Sequence, residues 1–479
     1  MSLTIVGVIV IVVGLCASTP GLITWLVCFL LLGATAAANL PALGGASVLP
    51  SSLIIPFVVF RAWKEHSIDL GRIKKADFWL WTLLAWALLA AVLLPRVFQG
   101  ETMIMTVDRS TGYKGVVMLP ARPSSGNVTQ SVYLAGGVAL FSAVRSLLCT
   151  KARQLRFASA VLLVGSLNGL AALINLAEYY LHIPSLLAPL RTASYSSFDN
   201  AVVGGLVRIQ GTFPEASTFA GFTMPLFAFS TQLWLAKVRP HLSGTVAALS
   251  LALLVLSTSS TAYAGVAIYL AFLGLSLARQ AFMRGADRHS ILLLFSCLAI
   301  PLAIWLTMAL LPGLSASVVS MADQMVLKKL ESSSGQERAA LNWRALQTFL
   351  ETYGVGVGTG STRASSYPLS VLSNLGIPGA LVLGAFLYQV LQVPPAGRAG
   401  LNHQTHAINA GARHALIISL IALLLAGTVI YPGESFFVYA AAAASSSSAH
   451  QPQQRRRRLP GTQTTLTKVR GPLLTGPTS

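Results

Sequence analysis

The stretch Arg208-Ile-Gln-Gly-Thr-Phe-Pro-Glu-Ala-Ser217 puts an arginine, a glycine, a proline and a glutamate just ahead of the uncharged apolar run 216–236. A helix needs about 20 mostly apolar residues to cross the hydrocarbon core of a bilayer, and that run is long enough. A spanning helix has no use for the polar residues at its start, so they read as a surface segment at the mouth of a span. Working outward, a second such segment, Ser334-Gly-Gln-Glu-Arg-Ala-Ala-Leu-Asn-Trp-Arg344, leads into the glycine-rich Tyr353-Gly-Val-Gly-Val-Gly-Thr-Gly360. The rest of the chain reads as a lipid-embedded frame that holds these two segments on one side of a membrane.

Composition agrees. A hydrophobic fraction of 54%, charged residues at 10% and a mean hydropathy of +0.68 exclude an ordinary soluble protein and a disordered chain. About a dozen apolar runs give the expected fold: an all-α, polytopic membrane helix bundle of about 12 (11–13) transmembrane helices, with a large external loop between late spans. The strand alternation of an outer-membrane barrel is missing. The net charge of +19 comes from Lys and Arg concentrated in short connections and in the tail, the positive-inside pattern, and no nucleic-acid partner is expected. Cys16, Cys28, Cys149 and Cys297 stand singly in apolar runs and read as packing residues, without the spacing of a disulfide framework or a zinc site.

Residues 3–60 hold three apolar runs punctuated by Pro20 and Pro41, and the first reads as a retained span. Arg61, Lys64, Arg72, Lys74 and Lys75 then mark a cytoplasmic loop from which the chain can be threaded. Residues 78–95 go out, 131–149 return, 157–180 go out and 216–236 come in, which places Arg208–Ser217 outside. The charge-free run 242–278 is too long for one helix and reads as a hairpin turning at Ser257-Thr-Ser-Ser-Thr261. Residues 290–311 go out, 369–392 return, and 414–431 form one more span. The bundle is expected over 1–440, with external loops 96–130, 181–215 and 312–368, and 441–479 reads as a disordered, low-complexity basic tail touching anionic lipid. Residues 434–449 can also be read as a short, poor final span.

Arginine stays charged and presents a planar fork of donors that matches phosphate oxygens, so arginines at span ends suit a lipid-linked pyrophosphate. Residues 336–352 suit an amphipathic helix with Arg338, Asn342, Ala345 and Phe349 on one face. Phe213, Trp343 and Phe349 are expected to bury part of Arg208, Arg338 and Arg344. The charges of Arg122, Lys328 and Lys329 read as solvated. Gly354, Gly356, Gly358 and Gly360 would let backbone amides approach a ligand, a pattern that a loose loop also contains. Glu215 and the lower-ranked Asp199 are the acids nearest the motif. Glu215 reads equally as acceptor of a hydroxyl proton and as a salt-bridge partner of Arg208. No Ser-His-Asp spacing, Walker motif or HExxH occurs.

Arg208, Gly211, Phe213, Pro214, Glu215 and Ser217 resemble the middle signature of the O-antigen ligase and polysaccharide polymerase superfamily. Ser334-Gly335, Arg338 and Trp343 resemble its Ser-Gly-x-x-Arg-x-x-x-x-Trp segment. Gly354-Val-Gly356-Val-Gly358 and Asn374-Leu-Gly376-Ile-Pro-Gly379 resemble its Gly-x-Gly loop and following helix start. The match covers about residues 200–390. Ligases of that family carry a histidine where this chain has Ser365, and the Ser-Arg usual at the hairpin turn is replaced by Ser259-Ser260-Thr261.

The resemblance implies a glycosyltransferase-like enzyme of the bacterial inner membrane, multi-pass, with its active site facing the periplasm and no cofactor or metal. It implies polymerisation of lipid-linked repeat units of exopolysaccharide, capsule or O-antigen type, from undecaprenyl pyrophosphate to a sugar hydroxyl. Arg208, Arg338 and Glu215 are the expected catalytic residues. Arg344, Arg363, Gly211, Gly356, Gly358 and Asp199 are the expected substrate-binding ones. The implied partners are the undecaprenyl-pyrophosphate-linked oligosaccharide, membrane lipid, a chain-length regulator and a flippase. Two alternatives stay open: a ligase moving polymer onto lipid A core or protein, and a polysaccharide or lipid flippase. Asn168 and Asn175 are the few polar groups within spans that a transporter would need.

Overall fold

The computed structural model describes residues 2–40, 46–65, 75–107, 115–194, 202–203, 206–284, 291, 333–392 and 402–445. The expected span 290–311, the segment up to 332 with Lys328 and Lys329, Asp199 and the tail beyond 445 lie outside the described residues.

Helices dominate, as the apolar runs require. Near the N-terminus α1 (Ile5–Cys16) and α2 (Thr19–Leu30) are each started by a hydroxyl cap, Thr4 and Ser18, and Pro20 sits in the first turn of α2, where its missing N–H costs nothing. The short α3 (Pro50–Leu53) and α4 (Ile55–Lys64) follow, then α5 (Lys75–Val97), α6 (Ser125–Leu147) and α7 (Lys151–Tyr180). The hairpin expected in 242–278 is present: α9 (Pro240–Leu256) and α10 (Ser260–Arg284) meet at Ser257–Ser259, after α8 (Ala216–Leu235). The last four helices are α11 (Ser333–Glu351), α12 (Tyr367–Leu391), α13 (His403–Ala426) and α14 (Glu434–Ala444). The run expected at 414–431 thus starts eleven residues earlier, so Arg413 is buried and His414 partly buried within α13, and His414 meets Tyr269 and Gln232.

Among the described residues, five helices are long and apolar enough to cross a membrane: α5, α7, α10, α12 and α13. Their outward faces carry large apolar side chains, such as Leu88, Leu89, Val92 and Leu93 on α5 and Leu163, Leu167, Leu170 and Leu173 on α7. Surface of that kind suits acyl chains and not water.

Small antiparallel strand pairs, which the alternation pattern did not reveal, occupy the connections. The first sheet joins Ser2–Leu3 (β1), Ala38–Leu40 (β2) and Ala46–Val48 (β3). Met103–Val107 (β4) pairs with Val116–Pro120 (β5), and Val202–Val203 (β6) with Leu206–Val207 (β7). β4 lies against α11, and the β6–β7 ribbon delivers the chain directly to Arg208.

The two ends of the bundle differ. At one end Arg153 pairs with Glu65 at 2.7 Å, Thr19 donates to the same carboxylate, and buried Asp77 pairs with Arg145 at 2.6 Å. Glu65, Asp77 and Arg153 belong to the stretches that the charge pattern reads as cytoplasmic. At the other end of α2, beside α3, lies the cavity described next. α14 joins the two ends through the interior: nearly every side chain from Glu434 to Ala443 is buried, and Ser445 beyond it bonds to Gln154 and Asn409. The expected short final span is therefore an interior helix, packed against α6, α12 and α13.

Candidate active site

The segment 208–217 is held by backbone anchors. Asn175 Oδ1, at the end of α7, accepts from the amides of Gln210 (2.9 Å) and Gly211 (3.2 Å). Arg191 donates from Nε and Nη2 to the Gly211 carbonyl at 2.9 and 2.6 Å. Thr212 donates to the Leu31 carbonyl at 2.5 Å and its own carbonyl accepts from Ala34 N–H at 2.9 Å. Phe213 is buried between Phe219 and Phe222 and lies so close to Gly33 that a Cβ there would overlap its ring. Gly211, at φ +56, makes the turn. Gly211 and Asn175 thus build the motif, and Asn168 bonds to Thr223 on α8 at 3.0 Å, so both in-span asparagines serve packing.

The result is a half-buried Arg208 whose Nε has no hydrogen-bond partner. Burial pushes its guanidinium below the ordinary arginine value, Glu215 opposes that shift, and Arg338 adds to it. The structure therefore brings together the three residues expected from sequence, Arg208, Glu215 and Arg338, within electrostatic range of one another. Two like charges, one of them a half-buried guanidinium with an unused donor, beside a single carboxylate form a site short of anion.

Trp343 is not part of it. The amphipathic helix is present as α11, and Trp343 is 62% exposed on the face away from buried Ala345 and Thr348. Arg344 is engaged within the protein: Nε donates to the Met103 carbonyl (2.7 Å), Nη2 to Thr102 (2.9 Å), and Glu351 completes an ion pair. It fastens α11 to β4.

Glu215, exposed at the start of α8, accepts from the hydroxyls of Ser217 and Thr218. It lines a cavity of ≈ 300 Å³, with hydroxyls from Ser51, Ser217, Thr261 and Ser419 on its walls. A second carboxylate lines the same cavity: Glu434, the first residue of α14, only 8% exposed and bonded to the Ser52 and Tyr431 hydroxyls. The sequence reading placed Glu434 at the start of a short final span and gave it no role. A single acid opening a run of apolar residues was the available signal.

The glycine loop has its amides committed. Gly356 N–H donates to Thr352 (3.2 Å) and Gly358 N–H to the Asn374 carbonyl (3.0 Å), while Gly354 O accepts from Ile377 N–H at 2.8 Å. At Gly376 (φ +65), where α12 kinks, a Cβ would overlap the backbone of Gly354 and Val355. The glycines permit backbone-on-backbone packing here. Asn374 stitches loop to helix through bonds to the amides of Ser361 and Thr362 and to the carbonyls of Thr362 and Ser370. Ser365, at the ligase histidine position, is buried and gives its N–H to Asn342 Oδ1 at 2.8 Å. Arg363 lines a second cavity, of ≈ 210 Å³, with Thr106, Ser124, Gln130, Tyr133 and Thr362.

No family model matches the chain, and neither does any curated protein sequence.

Proposed function

We propose that this protein polymerises lipid-linked polysaccharide repeat units, with Arg208 and Arg338 stabilising the pyrophosphate that leaves undecaprenyl-linked glycan as a sugar hydroxyl attacks its anomeric carbon. The observation that carries the reading is the unpartnered Nε of Arg208, held within electrostatic range of Arg338 and of Glu215, and Glu215 in turn lines a hydroxyl-bearing cavity. Donors preorganised where charge develops, and left without an internal acceptor, act more strongly on a departing phosphate than on the resting protein.

The frame suits such a donor. α2 and α14 run from the cavity to the Glu65 end in 12 and 11 residues. That is roughly 15–18 Å at the rise of a helix, against about 30 Å of hydrocarbon. In a bundle of about twelve crossings in the bacterial inner membrane, the cavity floor then lies below the periplasmic lipid surface, where a polyprenyl chain can enter from the side. Arg363, in the second cavity, supports a glycan-contacting role. Arg344 acts through the placement of α11.

Analysis of the lipid-linked glycans of a deletion strain tests the reading. Single repeat units on the carrier are expected. Long polymer remaining on the carrier would identify a ligase instead, and units accessible only from the cytoplasmic side would identify a flippase.

A further inference from the structure

We propose that Glu434 is the base that takes the proton of the acceptor hydroxyl, and that Glu215 is the counter-ion of Arg208; this rests on the polymerase reading above. The two carboxylates share one cavity but not one environment. Glu215 is exposed, is held by hydroxyls of its own helix start, and acts electrostatically on Arg208. Glu434 is buried, and its recorded partners are both neutral donors, the hydroxyls of Ser52 and Tyr431. Carboxylates placed in contrasting surroundings take contrasting roles.

Glu434 is also the more rigidly placed. Gly433, at φ +92, turns the chain so that Glu434 opens α14, and α14 is packed on all sides. Tyr431 is stacked between Tyr133 (5.6 Å) and Phe437 (5.8 Å), which fixes the hydroxyl that orients the carboxylate. A base held by hydrogen bonds and packing needs no reorganisation when the hydroxyl arrives. The cavity's volume is at the lower end of the range of about 300–1,000 Å³ for small-ligand sites, and its serine and threonine hydroxyls suit a sugar ring.

The step balances without a further reactant. The acceptor oxygen forms a bond to the anomeric carbon, and the bond from that carbon to the pyrophosphate oxygen breaks. Its electron pair leaves with the pyrophosphate beside Arg208 and Arg338, and the hydroxyl proton passes to a Glu434 oxygen.

The test uses the full chain in lipid nanodiscs and lipid-linked repeat units isolated from the deletion strain. Glu434→Gln and Glu434→Ala should keep the fold while chain extension falls by about 10²-fold or more, the usual contribution of a general base. Azide, a nucleophile that carries no proton to remove, should restore donor consumption by Glu434→Ala as glycosyl azide, and should not restore Arg208→Ala, which lacks leaving-group stabilisation. A wild type active in extension alongside a Glu434→Ala that azide leaves inert overturns the assignment. So does loss of the fold in both Glu434 variants, which would make the residue a structural clamp. A wild type that neither extends glycan nor consumes donor overturns the polymerase reading itself, and the base assignment with it.

Discussion

Replacing Arg208 by methionine should separate activity from stability in opposite directions. Methionine keeps the apolar stem and removes the guanidinium. Arg208 Nε is buried with no partner, and leaving a buried donor unsatisfied costs about 1–3 kcal/mol. Against that stands the attraction of exposed Glu215, worth about 0–1 kcal/mol at a solvated site. The balance is a gain of order 1 kcal/mol for the variant, or about 2 °C in melting temperature for a chain of this size. Catalysis should move the other way: removing one preorganised donor to a developing oxyanion lowers turnover by roughly 10²–10³-fold. Arg208→Lys should fall within about tenfold of Arg208→Met, since an ammonium cannot make the bidentate contact. Gel ladders from nanodiscs supplied with lipid-linked repeats read the activity, and differential scanning fluorimetry reads the fold. Full-length polymer from Arg208→Met would falsify the role, and so would a melting temperature depressed by several degrees with activity falling in proportion.

Arg344 should behave in the contrary way. Arg344→Ala removes the Glu351 ion pair and bonds to Met103 and Thr102, so stability should drop by about 2–3 kcal/mol with residual activity tracking the folded fraction. Gly376→Ala forces a side chain into the Gly354–Val355 backbone at φ +65 and should prevent accumulation of folded protein, measured as loss of monodisperse material after detergent extraction. Burial, the charge and hydrogen bond of Glu434, and Tyr133 raise the Tyr431 hydroxyl well above its ordinary value of 10.0, so it stays protonated in the fold after the unfolded chain begins to ionise. Its contribution is fully present below about pH 10 and is lost as pH rises further. Melting curves at pH 8–11 should show Tyr431→Phe losing less stability than wild type over that interval. For topology, in a cysteine-free background, Thr218→Cys should react with a membrane-impermeant maleimide from the periplasmic side and Lys151→Cys only after permeabilisation.

Much of the frame was legible because lipid imposes a simple rule on sequence. Apolar runs became α5, α7, α8 and the α9–α10 hairpin nearly at the expected bounds, since each boundary is marked by a charge, a proline or a cluster of hydroxyls. Boundaries failed where burial in protein replaced burial in lipid. α13 extends through Arg413 and His414 because neighbouring helices accept polar groups that acyl chains would not. α14 looked like a poor span because it is short and small, which suits a helix buried among helices. The strand pairs escaped notice because two to five residues are too few to show alternation.

The sequence by itself determined the class of molecule and the polar segments to be searched, because hydropathy and charge act locally along the chain. It also named Arg208 and Arg338, whose guanidiniums suit an anionic leaving group, and the acid Glu215 beside them. Only the tertiary structure decided which polar residues are spare. Arg344 and Gly358 have their donors consumed by neighbours distant in sequence and Gly356 by Thr352 one turn away, whereas Arg208 Nε is left without a partner. It also brought Glu434 across more than two hundred residues into the cavity of Glu215. Hydrogen-bond satisfaction is settled by folding, so the free donor and the second carboxylate could not be read from the order of residues alone.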